Sequence, residues 1–262
     1  MRLKLSLSLF VAAALIGSVG TVSAETQSTL RFGIEAAYPP FESKSPTGQL
    51  QGFDVDVGNA VCAKMKVKCV WVENAFDGLI PALQARKFDV INSAMNITDK
   101  RKQSIDFTPP VYVVPIVMVA KRDSKLLPDV KSLQGKRVGV LQGSSQEDFL
   151  KAHWANAGVS VVSYQDQDQV YSDLVAGRLD AAVQEAQTVQ DGFLGKPEAR
   201  DYAILGEPLH DPATLGEGTG LGLRKEDQAL KTKVVAALDS LKKDGTLSSL
   251  SQKYFKRDII AK

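Results

Sequence analysis

Arg101 and the segment from Gly143 to Ser145 are the residues of this sequence best suited to hold a small anion. Arg101 follows a predicted strand, and Thr98 can cap a short helix there, from which a guanidinium can donate two parallel hydrogen bonds to a carboxylate. Gly143, Ser144 and Ser145 occupy a predicted strand-to-helix turn, where free N–H groups and the helix dipole attract anions. Alone, these features are typical of a surface ion pair and a helix cap. Together they predict a clamp for a small carboxylate.

The stretch GIEAAYPPFE, residues 33–42, is a second place where side chains could meet a ligand. Pro39 and Pro40 lack backbone N–H groups and push the residues before them toward extended conformations, which predicts a rigid loop after a short strand. Such a loop can present the Glu35 carboxylate and the Tyr38 ring. The alternative is that Glu35 is a solvated loop charge.

Strands that alternate with helices must position these residues. The predicted strands are residues 29–34, 67–72, 88–94, 133–142, 159–164 and 179–185. The predicted helices are residues 54–66, where Asp54 is a candidate N-cap, 77–86, 144–158 and 167–177, followed by a helix that stops at Gly245 and another at 248–255. This alternation indicates parallel βαβ units and an α/β fold.

Two extended segments, residues 109–121 and 208–225, connect the two α/β units. The chain is therefore predicted to leave one lobe, build a second and return, with residues 25–113 and 213–262 in lobe 1 and residues 114–212 in lobe 2. The glycine run GEGTGLG at 216–222 lies in the returning segment and does not open a helix, which argues against a dinucleotide-binding loop. A GxxxxGK[ST] motif is absent from the sequence, so ATP hydrolysis by that route is excluded.

Residues 1–24 have the pattern of a secretory signal peptide. Arg2 and Lys4 precede an apolar run, and small residues end at Ala24, where cleavage is predicted; the run is too short for the alternative, a membrane anchor. Without this segment the 32 Lys and Arg fall by two to 30, equal to the 30 Asp and Glu. A net charge near zero argues against nucleic acid or an anionic membrane as the main partner.

Cys62 and Cys69 are the only cysteines of the sequence. In an exported protein they are expected to form a disulfide that closes the turn between a helix and a strand. The competing interpretation, a metal site, lacks further ligands, because His153 and His210 lie far away in sequence without zinc-site spacing. No metal and no cofactor are expected.

Several motifs, in this order, are similar to one protein family: EAAYPPFE, GFDVDVGNAVC, FDGLIPAL, ITDKRKQSIDFT, GKRVGVLQGSSQE, YSDLVAGRLDAAVQE, GTGLGLRKED and DGTLSSLSQKYF. The chain resembles the polar amino-acid-binding proteins of bacterial ABC importers, in particular the branch that takes lysine, arginine, ornithine or histidine. The resemblance covers residues 29–260. It implies a periplasmic-binding-protein-like fold of type II, in which two α/β lobes joined by a two-stranded hinge close over the ligand.

The resemblance also assigns roles in a ligand site. Arg101 would bind the ligand α-carboxylate with backbone N–H groups near Asn96 and Ser145, in the turn that also holds Ser144. Glu185 would accept the α-ammonium, with the Ala94 carbonyl as a second candidate. Tyr38 and Phe76 would pack on either side of the ligand's side-chain stem. Glu35, with Ser93 as a second candidate, would contact the distal end of that side chain.

Glu35 and Tyr38 together suit a guanidinium, which pairs with carboxylates and stacks on aromatic rings. Family members that bind lysine or histidine often carry serines in place of Ala94 and Asn96, and aspartates in place of Glu35 and Glu185. The expected order of preference is therefore arginine, then ornithine or lysine, then histidine.

Capture without chemistry is the mechanism that the resemblance implies. The expected protein is a periplasmic monomer that delivers its ligand to a membrane permease, powered by a separate ATPase subunit. An enzyme similar to cyclohexadienyl dehydratase is the alternative on the same fold. A sensing module of a receptor is a third interpretation, for which the sequence shows no signalling domain.

Overall fold

The computed structural model describes residues 28–262, so the predicted signal peptide lies outside the described residues. The strands are β1 (Thr29–Ile34), β2 (Ala37–Tyr38), β3 (Glu42–Lys44), β4 (Leu50–Gln51), β5 (Lys68–Glu73), β6 (Val90–Ile91), β7 (Asp106–Phe107), β8 (Ile116–Lys121), β9 (Arg137–Leu141), β10 (Ser160–Tyr164), β11 (Ala181–Glu185), β12 (Tyr202–Ile204) and β13 (Gly222–Leu223). The α-helices are α1 (Phe53–Met65), α2 (Leu79–Gln84), α3 (Asp99–Lys102), α4 (Val130–Leu133), α5 (Ser145–His153), α6 (Gln167–Val175), α7 (Pro212–Leu215), α8 (Gln228–Lys243) and α9 (Thr246–Phe255).

Two five-stranded sheets form the centres of two lobes. The first has the order β5-β1-β6-β13-β7, with β1 parallel to β5 and β6, and β13 antiparallel to β6 and β7. The second has the order β10-β9-β11-β8-β12, with β9 parallel to β10 and β11, and β8 antiparallel to β11 and β12. Each sheet packs apolar residues against helices, as the α/β prediction requires.

The chain passes from the first sheet to the second between β7 and β8, and it returns between β12 and β13. The two passages run side by side, because Tyr112 forms a backbone bridge with Thr219 and Ile116 forms one with Leu209, both antiparallel. Two adjacent extended segments therefore connect the lobes. The lobe limits at residues 113 and 213 stay a prediction.

Helix α1 begins one residue before the predicted start, which changes the role of Asp54. Gly52 occupies the N-cap position with a φ of 135°, and Asp54 lies in the first turn, so its prediction as the N-cap is wrong. The Asp54 side chain is fully buried and accepts a hydrogen bond from the Ala94 N–H at 2.7 Å. Asp54 thus fixes the loop at Ala94 in the first lobe instead of capping the helix.

The segment around Pro39 and Pro40 is a short hairpin rather than an isolated loop. Strands β2 and β3 pair antiparallel with Tyr38 opposite Glu42, and β4 extends them to a three-stranded sheet. Tyr38 and Glu42 therefore lie side by side at the edge of the first lobe.

Other differences from the sequence prediction concern the ends of elements. Helix α5 ends at His153 and is followed by a 3₁₀ turn at Ala155–Ala157, and helix α9 begins at Thr246, two residues early. The predicted strand at 88–94 is reduced to Val90–Ile91. No helix of residues 28–262 has both the length and the apolar character needed to cross a membrane.

The disulfide prediction is confirmed. Cys62 in α1 and Cys69 in β5 are bonded, seven residues apart in sequence. The bond ties the C-terminal half of α1 to the edge strand of the first sheet.

Reduction of this disulfide is expected to lower the free energy of unfolding, because the cross-link restricts the unfolded chain. The loop that it closes is short, which limits the expected loss to about 2 to 3 kcal/mol. Urea unfolding of the protein with and without dithiothreitol measures the difference on an unchanged sequence. Equal midpoints in the two conditions, with complete reduction verified by thiol titration, would contradict the expectation.

Candidate functional site

A small cavity of about 10 Å³ lies between the two lobes. The first lobe contributes Tyr38, Glu42, Phe76, Ser93, Ala94, Asn96 and Arg101, and the second contributes Leu141, Ser144, Ser145, Gln146 and Glu185. Nine of the ten predicted ligand residues are thus brought together, and the exception is Glu35. Their roles toward a ligand stay predictions.

Arg101 lines the cavity from the short helix α3, as the Thr98 cap in the sequence predicted. The Thr98 hydroxyl caps α3 by accepting from the Arg101 N–H at 3.3 Å. The guanidinium donates to the Asn96 carbonyl at 2.7 Å and, across the cleft, to the Gly143 carbonyl at 3.0 Å. Its central carbon lies 5.4 Å from the centre of the Phe76 ring, within cation–π range. Burial lowers the pKa of Arg101 to about 10, so the side chain is charged at neutral pH.

The start of helix α5 faces Arg101 from the second lobe. The Ser144 hydroxyl caps this helix by accepting from the Glu147 N–H at 3.0 Å, so the helix cap that was the alternative interpretation of this turn is present. Gly143 has a φ of 75°, and a side chain there would come within 2.8 Å of Asp77 in the opposite lobe. A glycine therefore permits the close approach of the two lobes at this turn.

Glu185 ends strand β11 and is buried between the lobes. One carboxyl oxygen accepts from the Asn96 side-chain amide at 3.0 Å, and the other accepts from the Tyr38 hydroxyl. The same Asn96 amide also donates to the Ser145 hydroxyl at 3.0 Å. Burial raises the pKa of Glu185 to about 8. Donors of the first lobe thus occupy both oxygens of a carboxyl group that could equally accept from an ammonium.

The floor of the cavity consists of Ser93 and Ala94, which follow strand β6. The Ser93 hydroxyl donates to Glu42 Oε1 at 2.8 Å and accepts from the Glu35 N–H at 3.0 Å. Ala94 has a φ of 42°, which residues other than glycine rarely adopt. Its N–H donates a hydrogen bond to the Asp54 carboxyl group. Asp54 and Glu42 therefore fix the loop that faces the cavity.

Glu35 lies beside the cavity instead of in its wall. Its carboxylate turns back to the Ala37 N–H at 3.2 Å, and its other oxygen has no hydrogen-bond partner within residues 28–262. The side chain is only 4% exposed, so the alternative of a solvated loop charge does not fit. Burial, with a smaller contribution from Asp166 and Asp168, raises the pKa of Glu35 to about 7.

Three residues of the cavity wall were not predicted from the sequence: Glu42, Leu141 and Gln146. Glu42 belongs to the same YPPFE stretch as the predicted Tyr38, and the strand alternation after the two prolines is the signal that could have placed it. Leu141 ends strand β9 and Gln146 lies in the first turn of α5, next to residues that were predicted.

Carboxyl groups outnumber basic groups around the cavity. Glu35, Glu42, Asp54 and Glu185 are buried carboxyl groups, whereas Arg101 is the one basic residue in the described cavity wall. Glu35 Oε2 lacks a partner within the described part of the chain, whereas the carboxyl groups of Glu42 and Asp54 can hydrogen-bond to each other through a proton held between them. Burial raises the pKa of Asp54 to about 7 and, together with Asp54 and Glu35, raises that of Glu42 well above its usual range. Such a site favours a cation.

Other reactive groups lie elsewhere. His153 is exposed and pairs with Asp211 at 2.8 Å, His210 is exposed, and both cysteines are in the disulfide. Residues 28–262 contain no cluster of three or more His, Cys, Asp and Glu side chains that could hold a metal ion.

Three comparisons place the chain among known proteins. The L-arginine-binding protein of Pseudomonas aeruginosa is 49% identical over 88% of this chain and 89% of that protein. The histidine-binding periplasmic protein of Escherichia coli K12 is 44% identical over 98% of both chains. A solved periplasmic binding protein of Salmonella typhimurium, described as having high arginine specificity, superimposes with a TM-score of 0.81 at 31% identity, over 87% of this chain and 99% of that one.

The superposition on the solved Salmonella structure and the two sheets of this chain confirm the predicted type II periplasmic-binding-protein fold with two α/β lobes. The profile described as "Bacterial extracellular solute-binding proteins, family 3" matches residues 30–257. The family prediction is confirmed, and this chain belongs to the bacterial extracellular solute-binding proteins of family 3.

Proposed function

We propose that this protein is the periplasmic solute-binding component of an ABC importer and captures a basic L-amino acid, with arginine preferred. The observation that carries the proposal is the excess of buried carboxyl groups around the cavity, four against the single guanidinium of Arg101. Burying ionised carboxylates is costly unless a cation pairs with them. A ligand with a positively charged side chain supplies that cation.

Two groups of residues around the cavity fit the two charged groups common to amino acids. Arg101 and the start of helix α5 suit an α-carboxylate, because both present N–H donors and positive charge. Glu185 and the Ala94 carbonyl suit an α-ammonium, which would take the place of the Asn96 and Tyr38 donors. The amino-acid backbone would then lie across the cleft and touch both lobes.

Arginine is preferred because the remaining wall offers acceptors and flat aromatic faces. Tyr38 and Phe76 would enclose the side-chain stem. Glu35, which lies beside the cavity, would have to turn from the Ala37 N–H to receive the guanidinium, which has five N–H donors where an ammonium has three. Ornithine or lysine would follow, and histidine would come last. The relatives are named for arginine in one case and histidine in another, so both remain in the ranking.

The proposed mechanism is capture by closure. A cavity of about 10 Å³ is far too small for an amino acid, so the lobes must separate for entry and the cavity must widen to hold the ligand. Contacts across the cleft, such as Lys100 with Asp148 at 2.6 Å and Gln142 with Asp77 at 2.8 Å, then re-form. Ligand stabilises the closed arrangement by binding it better than the open one. The closed, monomeric protein would dock on a membrane permease that an ATPase subunit drives.

A dehydratase-like enzyme is the alternative function. One observation favours it, because a carboxyl group with a pKa of about 8, as at Glu185, can serve as a general acid. Incubation with prephenate or arogenate, followed by chromatography, distinguishes the two functions. Turnover would support the enzyme, and recovery of the compounds unaltered would support capture.

Calorimetric titration tests the proposal. The mature protein, unfolded and refolded to remove any carried ligand, is titrated with L-arginine, L-lysine, L-ornithine, L-histidine and L-glutamine. One-to-one binding is expected to be tightest for arginine and weaker for lysine. Absence of binding to all the basic amino acids would overturn the proposal.

Glu35→Gln is expected to weaken arginine binding by about 1.5 to 3 kcal/mol, the cost of losing a buried charged hydrogen bond. The same titration measures it. Glu226→Gln is a matched control, because Glu226 is exposed and, among residues 28–262, forms its ion pair with the exposed Arg86. An affinity equal to that of the control would remove Glu35 from the site.

The stability of the ligand-free protein is expected to fall as the pH rises from about 4.5 to about 8. Glu185 binds its proton more tightly in the folded state, with a pKa of about 8 against an ordinary value of 4.5, so ionisation in this window favours unfolding. Urea unfolding of the wild type and Glu185→Gln at pH 5 and pH 8 isolates this contribution. The variant should lose less stability than the wild type, whereas Glu198→Gln, an exposed position, should match the wild type. Equal pH dependence in all three proteins would be incompatible with this assignment.

A further inference from the structure

The hydroxyl group of Ser93 has little hydrogen-bonding capacity left for a ligand. A serine hydroxyl has one proton to donate and two lone pairs to accept. The proton goes to Glu42 Oε1 at 2.8 Å, and one lone pair accepts from the Glu35 N–H at 3.0 Å. Because Ser93 lines the cavity, what it can offer there is one lone pair.

Glu42 is the residue that fixes this orientation. It lies in strand β3 opposite Tyr38, is 1% exposed and also lines the cavity. Its second oxygen, Oε2, finds a partner within residues 28–262 only through a proton shared with the neighbouring carboxyl group of Asp54. A proton carried on Oε2 would leave Oε1 free to accept. The Ser93 proton is therefore held by Glu42 whether Glu42 is charged or neutral.

We propose that Glu42 is a specificity-determining residue that acts through Ser93. By taking the Ser93 proton, Glu42 leaves the Ser93 hydroxyl only a lone pair to offer to the cavity, so side chains that end in N–H donors there bind and those that present a carbonyl oxygen are disfavoured. The inference rests on the proposed capture of a basic amino acid. Glu42 and Ser93 would then act together with Glu35 in ligand selection. They would favour a side chain that ends in a guanidinium or ammonium group over one that ends in an amide or ureido group.

L-Citrulline is the appropriate probe, because it is arginine with a neutral ureido group whose oxygen would face these acceptors. Calorimetric titration of the wild type and Glu42→Gln with L-arginine and L-citrulline gives the ratio of the two affinities. In Glu42→Gln the new amide can donate to Ser93, which turns the hydroxyl proton toward the cavity. The preference for arginine is expected to fall by about 10-fold or more. A merely structural effect would weaken both ligands alike.

Ser93→Ala provides a second route to the same test. It removes the lone pair, so the preference for arginine should also fall, and adding Glu42→Gln to it should change the ratio no further. Glu73→Gln is the matched surface control, because Glu73 is half exposed and pairs with Lys44. If Glu42→Gln does not fold, the Ser93→Ala ratio decides.

The outcomes separate the two proposals. If the wild type binds arginine but the ratio of the arginine and citrulline affinities is unchanged in Glu42→Gln, the role of Glu42 is overturned and the proposed function is not. The same holds for an unchanged ratio in Ser93→Ala if Glu42→Gln does not fold. A further fall in the double variant would show that Glu42 acts directly, which also overturns its action through Ser93. Failure of the wild type to bind arginine would overturn the proposed function and this inference with it.

Discussion

Burial of several carboxyl groups in one cleft is the constraint on which the site depends. Glu35 has a buried oxygen without a partner in the described chain, Glu42 and Asp54 can pair only through a shared proton, and Glu185 accepts from the opposite lobe. An isolated buried carboxylate is unstable, so such groups hold protons or pair with a cation. The raised pKa values of these groups are the consequence, and a basic ligand is the partner that would lower them again.

The fold places this cluster where closure can act on it. The passages between the lobes contact the residues beneath the cavity, since the Tyr112 hydroxyl donates to Asp54 at 3.2 Å and the Thr219 hydroxyl donates to Asn96 at 3.1 Å. Asn96 in turn reaches Ser145 and Glu185 of the second lobe. A change in the angle between the lobes therefore moves the same side chains that would hold the ligand.

Local rules predicted one part of the site well. The caps at Thr98 and Ser144 follow from neighbouring residues, so the placement of Arg101 and of the α5 start could be read from sequence. Asp54 was misread because an acidic residue at a helix start is typical of a cap, and only contact with Ala94, 40 positions away, shows its role. Glu35 turns away from the cavity because the nearby Ala37 N–H binds its carboxylate, a local competition that the spacing did not reveal.

Proton release on binding tests the central claim most directly. Arginine titrations at pH 7.5 in two buffers of different ionisation enthalpy give the number of protons exchanged. A cation that pairs with Glu35 and Glu185, whose pKa values are about 7 and about 8, should drive protons off them, so net release is predicted. Binding of arginine with no proton exchange, or with uptake, would contradict the account in which these carboxyl groups await a cation.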